Sequence, residues 1–104
     1  MSPTLDTRTA LLAALIEGES YGLELIERVK KNSNGALKIQ QGRVYPVLRA
    51  LEAEGLLESY DGDPLPERGG RPRRYYKLTA KGLRAARENA KAIFGLFAPA
   101  LGRA

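Results

Sequence analysis

The sequence predicts a mainly α fold with one small β-hairpin (α+β), and three observations carry that expectation. Apolar residues recur at helical spacing in four separate stretches. Between the third and the fourth the period falls to two, over "LLESY" (56–60) and "RYYKLT" (74–79), and glycine-containing breaks separate the elements. At 104 residues, with 43% hydrophobic and 28% charged residues, the chain has the makeup of one small folded domain.

The elements follow in order. Residues 6–17 read as a helix that Asp6 or Thr4 caps, with Leu11, Leu12, Leu15 and Ile16 as its apolar stripe. "EGESYG" interrupts it. A second helix, about 20–31, has Ser20 as candidate N-cap. Tyr21, Leu25 and Val29 recur every fourth residue beside Ile26, and Lys30 and Lys31 suit its negative C-terminal end. "NSNGA" supplies the turn chemistry that stops it. The third helix begins near Gln41 or Gly42 and runs to about Glu54, with Val44, Val47, Leu48 and Leu51 inward and Gly55 at its end. Pro46 is expected in its first turn, where a missing N–H does little damage. Gln40 to Arg43 then form the lip of the helix, where unpaired N–H groups and a partial positive charge suit a phosphate.

The two strands enclose a basic Gly/Pro loop, "PERGGRPRRYY" (66–76), longer than the usual hairpin connection. Tyr75 and Tyr76 alternate, and Tyr76, in phase with Leu78, is the core candidate. Thr79 caps a last helix of about 80–98. Its apolar positions Leu83, Ala86, Ala90, Ile93 and Phe97 are spaced 3, 4, 3 and 4, an a/d seam that Phe94 and Leu96 widen. Pro99 and Gly102 close the chain.

The chain has no cysteine and no histidine, which removes disulfides, thiolate chemistry, the usual general bases and most zinc ligands; no cofactor is expected. The carboxylate pairs Glu17/Glu19, Glu24/Glu27 and Glu52/Glu54 read as solvated helix faces or turns. No run approaches the roughly 20 apolar residues of a membrane span, no leader pattern opens the chain, and a cytoplasmic address is expected. The net charge of +5 is concentrated. Residues 68–77 hold Arg68, Arg71, Arg73, Arg74 and Lys77 with no acid, whereas 52–67 hold Glu52, Glu54, Glu58, Asp61, Asp63 and Glu67 with no Lys or Arg.

Helix, helix, turn, helix, β-hairpin, helix is the order of a winged helix-turn-helix domain, here 1–79 with the wing at about 56–79. Residues 80–104 are then a C-terminal dimerisation helix and a short tail. In that arrangement the third helix offers its N-terminus to a major groove of double-stranded DNA, and the wing reaches an adjacent phosphate ridge or minor groove.

The same residues carry a family resemblance. "SYGLELIERVKK", "QQGRVYPVLRALEAEGLLES" and "GGRPRRYYKLTAKG" resemble the PadR family of bacterial transcriptional regulators, in a match that spans about residues 10–84, most of the chain. The pattern resembled is Gly-Thr-Leu-Tyr-Pro-x-Leu-x-x-Leu-Glu-x-x-Gly-Leu, then basic-x-Tyr-Tyr-x-Leu-Thr-x-x-Gly. The resemblance implies a homodimer on operator DNA, often a repressor released by a small ligand, with Tyr45 facing DNA. The chain departs from the family where Gln40, Gln41 and Arg43 replace the Ser-Pro before the glycine and the Thr or Ser after it. That loses a Ser cap, at a cost of roughly 1 kcal/mol, and gains an arginine able to fork onto guanine or phosphate. It also has room for only one helix after the wing.

The candidate DNA-binding residues are therefore Gln41, Gly42, Arg43, Tyr45 and Arg49 on the third helix and Arg68, Gly70, Arg71, Arg73, Arg74 and Lys77 on the wing. Gly42 is expected to let a phosphate approach the backbone. The loop also has two other readings: a solvated charge run, or an AT-hook, whose Arg-Gly-Arg-Pro core is here lengthened by one glycine. A helix of about 20 residues is roughly 30 Å long and overhangs so small a domain. A partner copy is expected to bury Leu83, Ala86, Ala90, Ile93, Phe94 and Phe97, with Leu11 and Leu15 as additional interface. A small-molecule effector is expected between the halves, near Phe94, Phe97 and the first helix. Two further readings stay open: a winged helix used only for protein–protein contact, through acid-rich 52–67, and, more remotely, an enzyme.

Overall fold

In the computed structural model, which describes residues 6–101, the order is α1 (Thr7–Ile16), β1 (Ser20–Tyr21), α2 (Gly22–Asn32), α3 (Gln41–Ala53), β2 (Leu57–Pro64), β3 (Pro72–Leu78) and α4 (Ala80–Phe97). A short 3-10 turn, Pro66–Arg68, lies between β2 and β3, and another, Ala98–Leu101, follows α4. Asp6 caps α1, its carboxylate accepting the Thr9 N–H at 2.8 Å. The alternative cap Thr4 and the closing Gly102 lie outside the described residues.

Leu11, Leu12, Leu15, Leu25, Val44, Leu48 and Leu51 form one core with Leu56, Leu57 and Tyr76 beneath the sheet. Leu11 and Leu15, expected at a dimer interface, are 0% and 2% exposed because α1 packs against α2, α3 and α4 of its own chain. They are core residues, and the stripe had the right residues with the wrong partner. Only Ile16 of that stripe faces outward.

Residues 20–21 also differ from expectation. Ser20 does not cap a helix: it is buried in a two-residue strand opposite Tyr76, and its hydroxyl donates to Glu24. Extended backbone here adds a third strand to the hairpin, giving an antiparallel sheet in the order β1-β3-β2, so α2 starts at Gly22 instead. Arg28 reaches back from α2 and donates through Nη1 to the carbonyls of Ala14 and Gly18, both at 2.9 Å. It thereby ties α2 to the C-terminal end of α1, where carbonyls have spare acceptor capacity.

Pro46 is the sixth residue of α3, in the second turn rather than the first. The hydrogen bond it cannot donate is the one to the Gly42 carbonyl. The hairpin strands run farther than their apolar alternation did. The ladder pairs Leu57 with Leu78 and continues through Asp61–Arg74 to Pro64–Pro72, so the connection shrinks to residues 65–71.

Thr79 caps α4, accepting the Gly82 N–H at 3.0 Å while its hydroxyl donates to the Gly55 carbonyl at 2.7 Å. The expected seam divides along the helix. Gly82 and Ala86 are buried in their own domain and Leu83 is half-buried. Ala86 is therefore a core residue, not free for a partner. Ala90 is exposed, Ile93 half-buried, and Phe94 and Leu96 are 65% and 66% exposed. No described helix is long and apolar enough to cross a membrane.

Candidate nucleic-acid interface

The N-terminal lip of α3 is open. Gln40 occupies the cap position in extended conformation without a side-chain hydrogen bond, and no acidic residue lies in the first turn. Gln41, Gly42 and Arg43 are all exposed. A Cβ built on Gly42 meets nothing within 4 Å, so the chain's own packing does not call for glycine there. The helix thus presents unpaired N–H groups, the positive end of its dipole and a guanidinium on the same side.

Tyr45 is half-buried and packs at the edge of the core. Its ring lies on the first residue of α2: a Cβ at Gly22 would stand 2.6 Å from Cε1 and 2.9 Å from the hydroxyl oxygen. Gly22 lets the two helices of the helix-turn-helix close, and sequence reasoning missed it, although the Gly of "SYGLEL" was the available signal. Arg49, one turn along, is exposed beside Tyr76, whose hydroxyl is pushed up by burial and by Glu52 despite the nearby Arg74 and Arg49. Ser59 ties Glu52 to the sheet with a hydrogen bond of 2.6 Å.

The wing tip is ordered by its own backbone. After the 3-10 turn, Gly69 and Gly70 take φ of 66° and 82°, values costly for other residues. The Gly70 N–H returns to the Leu65 carbonyl at 3.0 Å, and Arg71 donates through Nε to the Arg68 carbonyl at 2.9 Å. Such a tip is neither a loose charge run nor an extended AT-hook.

The basic residues of the wing are not equivalent. Arg71 is exposed at the tip, and Arg68 is half-buried. Arg73 lies over the Tyr21 ring, 4.3 Å from its centroid, a cation–π contact. Arg74 pairs with Asp61 at 3.0 Å and Lys77 with Glu58 at 3.6 Å, each across the β2–β3 ladder. Three tyrosines cross the sheet in line: Tyr75 stacks on Tyr60 at 5.6 Å and meets Tyr21 edge-on at 5.5 Å. The Tyr60 hydroxyl donates to Glu19. Neither the ion pairs nor this ladder was foreseen, because both depend on register and on the unexpected β1. The acidic stretch 52–67 is divided accordingly: Glu54 ends α3 in a bidentate pair with Arg8 at 2.5 and 2.6 Å, whereas Glu58 and Asp61 face wing cations.

Lip and wing together form the surface of a winged helix-turn-helix domain, and known proteins agree. The chain is similar to a transcriptional regulator from Clostridium thermocellum, with a TM-score of 0.73 at 25% identity, covering 93% of this chain and 87% of the other. It resembles a PadR-like transcriptional regulator from Bacillus cereus (TM-score 0.69, 25% identity, 92% and 87% covered). A PadR family regulator from Eggerthella lenta gives a TM-score of 0.64 at 30% identity, with 91% and 80% covered. An uncharacterised protein of Lysinibacillus sphaericus is 31% identical over 72 residues, 69% of this chain; the chain spans 63% of that relative's length. The model of the transcriptional regulator PadR-like family matches residues 11–88, from the middle of α1 to the middle of α4. The chain belongs to the PadR-like family, whose members are transcriptional regulators and not enzymes.

Proposed function

We propose that this chain is a cytoplasmic homodimeric repressor that binds a near-palindromic operator. The observation that carries this reading is the uncapped, exposed, acid-free N-terminus of α3, in a domain whose wing tip also carries the exposed Arg71. Gln41 and Arg43 read base edges in the major groove, with Arg the better suited to guanine. Gly42 admits a phosphate to the backbone, and Tyr45 and Arg49 contact the adjoining strand. On the wing, Arg68, Arg71, Arg73, Arg74 and Lys77 grip phosphate, with Gly70 shaping the tip.

Residues 1–79 carry the DNA-facing surface and 80–104 the pairing of copies, although the first two turns of α4 stay in the domain core. The distal half of α4 exposes Phe94, Leu96 and Phe97. A shallow groove of about 190 Å³, lined by Ala10, Ala13, Ala14, Val29 and Leu37 among others, offers a partner's α4 an apolar seat. Two-fold symmetry then sets two α3 lips about one DNA turn apart, roughly 34 Å. An effector that releases DNA fits the same interface, near Phe94 and Phe97. A purely protein-binding role through acidic 52–67 is disfavoured because it leaves the acid-free α3 lip and the exposed Arg71 of the wing tip without a counterpart.

The test is a salt titration of binding to a genomic fragment spanning the protein's own gene. Log affinity should fall with log salt by roughly 0.9 per phosphate neutralised. Replacing Arg71, Arg73 and Arg74 by Ala should weaken binding to every sequence and flatten that slope. An unchanged slope removes the wing from the interface, and absence of salt-sensitive binding removes the function.

A further inference from the structure

A wing that grips phosphate by charge alone would carry cations only. This one, over residues 57–78, holds five cations and four acids. Two of those acids stand directly opposite cations in the ladder, Asp61 against Arg74 and Glu58 against Lys77. The pairs close at 3.0 and 3.6 Å, with all four side chains about half exposed. Exposed pairs of this kind contribute little to stability. The hairpin is held instead by its backbone ladder, by the Tyr60–Tyr75 stack and by Tyr76 in the core. On α3, by contrast, Arg43 and Arg49 have no ion pair among the described residues, and on the wing neither does Arg71.

We infer that Asp61 limits how tightly the wing grips DNA of arbitrary sequence, by holding Arg74, on the sheet face that α3 packs against, in an ion pair that a phosphate must displace; this rests on the DNA-binding reading above. A phosphate that reaches Arg74 also meets the Asp61 carboxylate, so like charges offset much of the attraction. Binding to arbitrary DNA is almost wholly electrostatic and loses proportionally most. Operator binding keeps its base-edge contacts at the α3 lip, which this acid does not touch. The Asp61 carboxylate therefore widens the ratio between operator and bulk DNA, and it is a specificity-setting residue without contacting a base.

The experiment measures affinity of the full chain for an operator duplex and for a scrambled duplex of equal length, across a range of salt. Asp61→Asn should raise affinity for the scrambled duplex about three- to tenfold, and for the operator less. It should also steepen the salt slope by up to about two per dimer. Glu58→Gln, whose pair with Lys77 lies on the other face of the sheet together with Tyr75, should leave affinity and slope nearly unchanged. In an Arg74→Gln background, adding Asp61→Asn should bring no gain over Arg74→Gln alone, since no released cation remains. Unchanged affinity and slope in Asp61→Asn would overturn the inference. A gain that survives Arg74→Gln would overturn it too, assigning the effect to net charge and not to the pair. Failure of the underlying reading looks different: the unsubstituted protein then binds neither duplex in a salt-dependent way. Thermal melts of the variants check that the hairpin persists.

Discussion

The N-termini of α3 and α4 each carry a glycine within the first three helical residues, Gly42 in one and Gly82 in the other, and the chain treats them in opposite ways. The α4 end is closed from all sides. Thr79 caps it, Lys81 donates to the Glu54 carbonyl at 3.0 Å, and a Cβ at Gly82 would stand 1.9 Å from the Leu56 carbonyl oxygen. The α3 end has no side-chain cap, no acid and open space above its glycine. The closed end locks α4 onto the α3–β2 turn. The open end, in the DNA-binding reading proposed above, is left for a ligand of opposite charge. A glycine at a helix start is thus structural in one place and available to a ligand in the other, and only the neighbours tell which.

The largest effect that tests this contrast is at the closed end. Gly82→Ala must move the Leu56 carbonyl or the start of α4, and is expected to destabilise by about 3 kcal/mol or more, seen as loss of a cooperative melt. Next comes Arg43→Ala at the open end. It should leave the melt unchanged while weakening operator binding by about 1–3 kcal/mol and relaxing preference at one base position. Gly42→Ala sharpens the contrast most. The fold should be unharmed or stabilised by about 0.5–1 kcal/mol, since alanine is the better helix former, yet DNA affinity should fall as the added methyl holds phosphate off the lip. A destabilised Gly42→Ala would break the distinction between the two ends.

The smallest effect is acid sensitivity. Hydrogen bonds from Thr9 hold the Asp6 carboxyl below the usual carboxylate range, and the Arg8 side chain does the same for Glu54. A carboxyl whose folded value is depressed contributes stability above its unfolded value, and loses it as pH falls through the folded one. Melting temperature should therefore hold through neutrality and decline below the ordinary carboxylate range. Asp6→Asn, which keeps a capping oxygen, should flatten part of that decline.

Much of this was legible in the residues. Asp6, with Thr4 as the alternative, and Thr79 announced helix starts, Tyr76 was placed in the core by its phase with Leu78, and the lip at Gln40 to Arg43 followed from where α3 had to begin. What was hidden depended on three-dimensional register. Ser20 has the chemistry of a helix cap, but the hairpin edge beside it recruits residues 20–21 as a strand. Leu11 and Leu15 show only that a face is apolar, not whether an intramolecular or a partner helix covers it. The pairing of Arg74 with Asp61 needs the ladder's alignment, which charge counts along the chain cannot give.

The central claim, that the open end of α3 reads DNA sequence, is tested most directly by selecting bound duplexes from a random pool with the full chain and with its Arg43→Ala variant. The account predicts that the unsubstituted chain enriches a near-palindrome with half-sites about one helical turn apart. The variant should enrich the same site with one position in each half relaxed. Enrichment of an identical site by both proteins, or of none by the unsubstituted chain, would contradict it.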